Sequence, residues 1–261
     1  MLSRLAAVAL LLVLNACSPV NASGDKGGDP VVAPTLGACR VLVPEDLARP
    51  TNNTDAVACG SPHTAENFLV REFPPRLAAR ADVEDPALGA YVYKVCSERF
   101  QAFLDSDEST VMRSMLSWAW YRPTEKAWRQ GARWYRCDVV SGTEQSEQLR
   151  QLPKTTEHVL LGEPEDEWMA CANGDTVADS PKVPCSEPHS WRAVTTIQLG
   201  GEDDAYPGES DVRARTEEYC GSSVVAWLNY PVDYDFGYTF FGRADWLGGN
   251  RRSICWAKTQ K

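Results

Sequence analysis

The sequence is poor in the features that most directly identify a catalytic, metal-binding or membrane-spanning protein. It has only three histidines, and none of its nine cysteines has the C-x-x-C spacing of a zinc knuckle. Its N-terminal apolar run, residues 6–14, is too short for a membrane-spanning helix. Positive charge is not in excess, and the net charge of -10 disfavours binding to nucleic acid and electrostatic attachment to anionic lipids. We predict an acidic, cysteine-rich protein with no bound metal and no cofactor.

What the sequence does contain is a repeat. The phrase C-G-S-P-H that begins at Cys59 recurs as C-S-E-P-H from Cys185, and W-x-x-G-x-R-x-x-x-C begins at both Trp128 and Trp246. One further cysteine precedes each pair of phrases, and one lies between them. Two matched sets of four cysteines indicate two copies of one disulfide-stapled module. The first set is Cys39, Cys59, Cys96 and Cys137, and the second is Cys171, Cys185, Cys220 and Cys255.

The ninth cysteine, Cys17, ends an N-terminal targeting segment. The stretch Leu14-Asn15-Ala16-Cys17 resembles the lipobox of bacterial lipoproteins. That resemblance implies cleavage before Cys17 and lipidation of its thiol, with palmitate as an expected acyl chain; an ordinary secretory signal is the alternative. We assign residues 1–17 to a lipoprotein signal peptide and residues 18–37, rich in Gly, Pro, Ser and Asp, to a flexible tether. The predicted location is extracytoplasmic, with a lipid anchor in the cell membrane.

The rest of the chain is divided by its repeats. We place module 1 at residues 38–140, a polar linker at 141–168 and module 2 at 169–261. Hydrophobic periodicity predicts the order β-β-α-β-β in each. Asp85-Pro86 signals the start of the first helix, with Pro in its first turn, and residues 87–104 follow; Ser210 is predicted to cap the second helix, which runs through Leu228. The predicted fold class is α+β: two tandem small modules, each an antiparallel sheet with one packed helix, stapled by disulfides.

Four cysteines in one module allow three pairings, and the sequence leaves the choice open. We favour sequential pairing, in which the first two cysteines of each module tie its first two strands and the last two tie the helix to the final strand. Cys96 and Cys220 lie on the apolar stripes of the predicted helices, so each needs a partner across the core. Each bridge contributes about 2–4 kcal/mol to stability.

Two histidines, His63 and His189, occupy equivalent places in the repeat and are candidate binding residues. A general base or a metal ligand is one interpretation. The other, which we prefer, is a structural imidazole that hydrogen-bonds the backbone at the start of a strand. No acid is repeated beside both, because Glu66 follows His63 whereas Arg192 holds the matching place after His189. We therefore predict no catalytic residues.

Aromatic residues are the second set of candidates. The repeated tryptophans are predicted core residues, and the arginines of the same phrase, Arg133 and Arg251, are predicted to pair with a carboxylate or stack on the nearby ring. Trp118 and Trp120 lie two apart on a predicted strand, so they share one face. If the helix covers the other face, they form an exposed patch that could bind sugar rings or a partner protein.

The phrase C-x-x-P-H, a helical cysteine and W-x-x-G-x-R-x-x-x-C, in this order, resemble the septum-formation domain of actinobacterial envelope proteins and lipoproteins. The resemblance extends over residues 38–140 and 169–258. It implies an extracytoplasmic, membrane-tethered protein linked to cell division, with no catalytic residues to carry over. We predict a non-catalytic envelope lipoprotein that binds or scaffolds another envelope protein or a cell-wall component. The alternatives are a cell-wall hydrolase using His63 or His189 and a peptidoglycan-binding module using exposed tryptophans.

Overall fold

In a computed structural model of the protein, the described residues are 31–143, 146–201 and 203–259. They form two antiparallel sheets of five strands, each with one long helix packed on it, which confirms the predicted α+β class. The predicted signal peptide with Cys17 and the first part of the tether lie outside the described residues. Over the ranges that are described, no helix combines the length and the apolar character needed to cross a membrane.

Module 1 holds the first sheet and the helix that packs on it. Asp85 begins this helix by accepting a hydrogen bond from the Ala87 amide at 2.9 Å, with Pro86 in the first turn as predicted. The elements are β1 (Cys39–Arg40), α1 (Pro44–Leu47), β2 (Ala56–Val57), β3 (Ala65–Glu72), α2 (Pro75–Ala78), α3 (Pro86–Leu104), α4 (Glu108–Met112), β4 (Leu116–Tyr121), α5 (Glu125–Arg129) and β5 (Trp134–Ser141). The strand order across the sheet is β2-β1-β3-β5-β4.

One strand boundary differs from the sequence prediction. The pattern predicts a second strand from Ala56 that continues to Val70, whereas the structure divides this stretch into β2 and β3. The Ser61 amide donates to the Ala58 carbonyl at 2.8 Å and closes a turn, and Pro62 follows. Because proline fixes φ and lacks an N–H group, the strand cannot continue in register through this turn. Each module therefore has three strands before its long helix rather than two.

Module 2 repeats this arrangement. Its long helix begins at Glu209 after Gly208, which has a φ of 99°, so Ser210 lies in the first turn instead of capping it as predicted. The elements are β6 (Ala170–Ala172), β7 (Lys182–Pro184), β8 (Trp191–Gln198), α6 (Glu209–Trp227), β9 (Phe236–Thr239), α7 (Arg243–Leu247) and β10 (Arg252–Lys258). The strand order β7-β6-β8-β10-β9 places each strand where its counterpart lies in module 1.

Four disulfides, two in each module, join the cysteines in sequential order, which is the pairing that we favour. Cys39–Cys59 and Cys171–Cys185 tie the first strand of each sheet to the turn beyond the second. Cys96–Cys137 and Cys220–Cys255 tie each long helix to the final strand, and all four of these cysteines are fully buried.

The two modules are packed directly on each other. The Met115 amide donates to the Trp168 carbonyl at 2.8 Å, and the Ala170 amide donates to the Arg113 carbonyl at 2.7 Å. These two backbone hydrogen bonds join the chain before β4 of module 1 to the start of β6 in module 2. The Arg252 guanidinium of module 2 also pairs with the Glu108 carboxylate of module 1 at 2.5 Å. The core of module 1 also includes Trp168 at the end of the linker and three side chains of module 2, namely Met169, Cys171 and Cys185.

Candidate functional site

The two repeated histidines make the same backbone contact. Nδ1 of His63 lies 2.8 Å from the Ser61 carbonyl oxygen, and Nδ1 of His189 lies 2.7 Å from the Glu187 carbonyl oxygen. Since a carbonyl only accepts, Nδ1 carries the proton in each ring. Both side chains are buried, at 1% and 3% exposure. This is the geometry of the structural interpretation, in which the imidazole closes the turn before the third strand.

The repeated W-x-x-G-x-R phrase forms a second matched contact. The Arg133 guanidinium lies 4.1 Å from the centroid of the Trp128 ring, and that of Arg251 lies 3.9 Å from the Trp246 ring. Arg133 also donates to the Ala78 and Trp128 carbonyls at 2.6 Å. Both tryptophans are buried, as the sequence predicts. The phrase therefore stacks an arginine on a core ring and fixes the turn before the last strand.

The tryptophans of β4 lie on the helix side of the sheet. Trp118 and Trp120 are half-buried and pack against the core beneath α3, and the Trp118 ring lies 5.3 Å from that of Tyr93. The exposed patch expected from the sequence required the helix to cover the opposite face, and the structure contradicts that condition. The opposite face carries Ala119 and Tyr121 and is covered by other residues of module 1.

That opposite face contains a buried charged cluster that sequence reasoning missed. Arg136 Nε donates to Asp138 Oδ2 at 3.1 Å, its Nη2 donates to Asn52 Oδ1 at 2.8 Å, and its guanidinium lies 4.5 Å from the Tyr121 ring centroid. Burial raises the pKa of Asp138, and the Arg136 and Arg40 guanidinium groups act in the opposite direction. Asp138 is fully buried, and Arg40 and Arg136 are 5% and 2% exposed.

The cluster is present in one copy only. The sheet registers place Leu69 opposite Cys137 and Thr195 opposite Cys255, which aligns the two modules strand by strand. By this alignment the charged and polar residues of module 1 have apolar or small counterparts. Arg40, Asn67, Arg136 and Asp138 correspond to Ala172, Ala193, Ile254 and Trp256.

Module 2 has a feature of its own, a cavity of about 340 Å³ where it meets module 1. Arg192 on β8, Trp227 at the end of α6 and Thr259 after β10 line it together with His189, and module 1 contributes Arg113. Trp227 is 50% exposed although the sequence predicts it on the apolar stripe of α6. Two guanidinium groups and an exposed indole ring can bind an anionic group joined to an apolar one.

Of the predicted binding residues, His189 alone contributes to this cavity. Arg113 and Thr259 carry no signal in the sequence, because their place in the cavity depends on the packing of the two modules. Arg192 does carry one: it breaks the repeat at the position where module 1 has Glu66. Within the described ranges, no group of three or more His, Cys, Asp or Glu side chains could hold a metal ion.

Comparison with known proteins adds one match. A family model described as septum formation matches residues 36–255, a single span that includes both modules. No curated protein and no solved structure matches the chain.

Proposed function

This chain belongs to the septum-formation family, and from that premise we propose that it is a non-catalytic binding or scaffolding protein of the cell envelope with a part in septum formation. The disulfides and the family fit a protein that works outside the cytoplasm, where thiols are oxidised. We further propose that Cys17 carries the lipid anchor, on the strength of the sequence Leu14-Asn15-Ala16-Cys17.

One observation carries the non-catalytic part of the proposal: the features repeated in both modules have structural partners. The eight repeated cysteines are in disulfides, the two arginines stack on tryptophans, and the two imidazoles hydrogen-bond backbone carbonyls. Catalysis needs an acid or base within reach of a second functional group. Across the described residues, neither His63 nor His189 contacts a carboxylate, which supports a scaffold more than an active site.

The proposed role is tested in cells that lack the chain. We expect sparse or misplaced septa, restored by the wild-type chain and by Ser18→Ala as the matched control. Cys17→Ser is expected to be released from the membrane fraction and to fail to restore septation. Without the Cys17 thiol the protein carries no lipid chain that could anchor it in the bilayer. Normal septation in cells without the chain would contradict the role in division. Membrane retention of Cys17→Ser would contradict the lipid anchor.

The hydrolase alternative is tested at the two histidines. We expect His63→Ala and His189→Ala each to lower the free energy of unfolding by about 1–3 kcal/mol, because each removes a buried ring and its hydrogen bond to the backbone. We also expect no cell-wall hydrolysis by the wild-type chain in an assay with purified wall. Urea unfolding gives the first quantity, and release of soluble wall fragments gives the second.

The matched variants His63→Asn and His189→Asn separate a structural role from a chemical one. An asparagine amide can donate to the same carbonyl, so we expect part of the lost stability to return. Wall hydrolysis by the wild type that disappears in His189→Ala, with the free energy of unfolding unchanged, would favour the hydrolase instead. The glycan-binding alternative has less support, since Trp118 and Trp120 are half-buried against the helix side of the sheet.

A further inference from the structure

The cavity of module 2 lies where the start of β8, the end of α6 and the end of β10 meet. We call this region the corner of the module, and module 1 has an equivalent corner. Of the residues that line the cavity, His189 is matched by a histidine in module 1, whereas Arg192, Trp227 and Thr259 stand where module 1 has residues of other types. Residue positions counted from the aligned strands and from the matched disulfide cysteines give the module 1 counterparts. In the order His189, Arg192, Trp227 and Thr259, they are His63, Glu66, Phe103 and Ser141.

In module 1 this corner is covered by the chain itself. Residues 152–160, which lie in the segment predicted as a linker, run across it and make backbone hydrogen bonds to the corner residues. The Leu152 amide donates to the His63 carbonyl at 2.9 Å, and the His158 amide donates to the Phe103 carbonyl at 2.9 Å. Leu152 and Leu160 are buried, so the segment also contributes apolar contacts.

Glu66 is the polar anchor of that segment. Its carboxylate accepts from Thr155 Oγ1 at 2.8 Å and from both the amide and Oγ1 of Thr156 at 2.6 Å. Thr156 is fully buried and Glu66 is 6% exposed. Charge-assisted hydrogen bonds of this kind are stronger than neutral ones and fix the position of a peptide. Module 1 therefore shows how the corner holds a peptide segment, which is irregular up to Thr156 and turns over residues 157–160.

Module 2 keeps the corner and reverses its charge. Arg192 places a hydrogen-bond donor where module 1 has the acceptor Glu66, and Arg113 adds a second guanidinium. The Nε and Nη2 atoms of Arg113 donate hydrogen bonds to Ser109 and Thr110 of the preceding helix α4. Burial lowers the pKa of Arg113 from its very high ordinary value, and nearby Arg192 lowers it further, but a guanidinium stays charged at neutral pH. Arg192 also pairs with Asp166 at 2.6 Å, so a ligand would share this cation.

The remaining groups of the corner also suit a ligand. The Trp227 ring is half-exposed, and Thr259 Oγ1 is buried without a hydrogen-bond partner among the described residues. On module 2, no backbone amide in the described ranges donates to the His189 or Trp227 carbonyls, the counterparts of those that hold residues 152–160. The carbonyls that bind a peptide backbone in module 1 thus have no equivalent backbone donor among the described residues of module 2.

We propose that this corner of module 2 binds an acidic peptide segment of an envelope partner protein, in the position that residues 152–160 take on module 1. A carboxylate of the peptide accepts hydrogen bonds from Arg192 and Arg113, its backbone amides donate to the His189 and Trp227 carbonyls, and an apolar side chain packs on the Trp227 ring. This inference rests on the proposed binding function and gives the chemistry of the partner.

The test is selection from a random peptide library displayed on phage, with the full-length chain as bait. We expect enrichment of linear peptides that carry Asp or Glu beside apolar residues. Titration calorimetry with a selected peptide should show that Arg113→Gln and Arg192→Gln each weaken binding by about tenfold or more, as loss of a charge-assisted hydrogen bond predicts. Arg129→Gln, an exposed arginine on α5 in module 1, is the control and should leave affinity unchanged.

Charge reversal sharpens the test. Arg192→Glu restores the module 1 residue, so the same selection should lose its acidic preference and favour peptides with adjacent hydroxyl residues, as Thr155 and Thr156 provide to Glu66. No acidic enrichment with the wild type, or selected peptides that bind Arg113→Gln/Arg192→Gln as tightly as the wild type, would overturn the inference. So would tighter binding of soluble peptides released from purified cell wall, because the ligand would then be the wall and not a protein segment.

The two proposals fail in different ways. If cells without the chain divide normally, the role in septum formation is wrong, whatever peptides the corner selects. If septation depends on the chain but the selection shows no acidic preference, the partner chemistry is wrong while the envelope role stands. Melting temperatures of the arginine variants within about 2 °C of the wild type would show that any loss of binding is not a loss of folding.

Discussion

Replacing both Cys96 and Cys137 by alanine is expected to lower the free energy of unfolding of module 1 by about 4 kcal/mol. The bridge closes a sequence separation of 41 residues, and the cost of opening it follows from the larger conformational freedom of the unfolded chain. Both cysteines are fully buried between α3 and β5, so no water replaces their contacts. Because a whole domain is stabilised by only about 5–15 kcal/mol, this is a large fraction of the total. Urea unfolding of the oxidised proteins measures the difference.

The matched control is Cys39→Ala/Cys59→Ala. That bridge closes a separation of 20 residues between the buried Cys39 and the partly exposed Cys59, and its removal should cost about 3 kcal/mol, since loop-closure entropy depends only weakly on length. The main contrast should be in the core: loss of the helix-to-strand bridge also loosens α3, which near-ultraviolet circular dichroism of the aromatic core would detect. Equal or larger losses from the Cys39–Cys59 pair would contradict the view that the helix bridge is the principal staple.

Much of this fold can be predicted from the sequence because its signals are local. Asp85-Pro86 begins α3 by side-chain capping and a fixed φ, which depend on neighbouring residues alone. The helical positions of Cys96 and Cys220 require partners across the layer, and the repeat supplies the same candidates twice. The division between β2 and β3 is not evident from the sequence, because short apolar runs on both sides of Pro62 resemble one continuous strand.

The polar interior of module 1 could not be predicted in the same way. Arg136 and Asp138 alternate with apolar residues along β5, which ordinarily indicates a strand with one face in water. The structure covers that face with residues such as Leu42 and Leu149, which come from distant parts of the chain. The cavity was missed for a related reason, since Arg113 joins it only through the contact between modules. The one local signal was the break in the repeat at Arg192.

The second large predicted effect concerns the buried charged cluster of module 1. Asp138→Ala is expected to lower the free energy of unfolding by about 3–5 kcal/mol, because it leaves the Arg136 and Arg40 guanidinium groups buried without their carboxylate. Arg136→Ala is expected to cost a similar amount, since Asp138 loses its nearest cation. Removing an exposed pair such as Glu125 and Arg129 on α5 should change stability by no more than about 0.5 kcal/mol.

A double-mutant cycle shows whether the two charges act as a unit. In Asp138→Ala/Arg136→Ala both members are gone, so the loss should be smaller than the sum of the single losses by about 1–3 kcal/mol. Module 2 gives the physical reason to expect this: with Trp256 and Ile254 at the equivalent positions, the same sheet folds around an apolar face. Additive losses would mean that Asp138 and Arg136 are stabilised by separate partners. The mutual pairing of the two charges would then not explain why module 1 has charged residues where module 2 has Ile254 and Trp256.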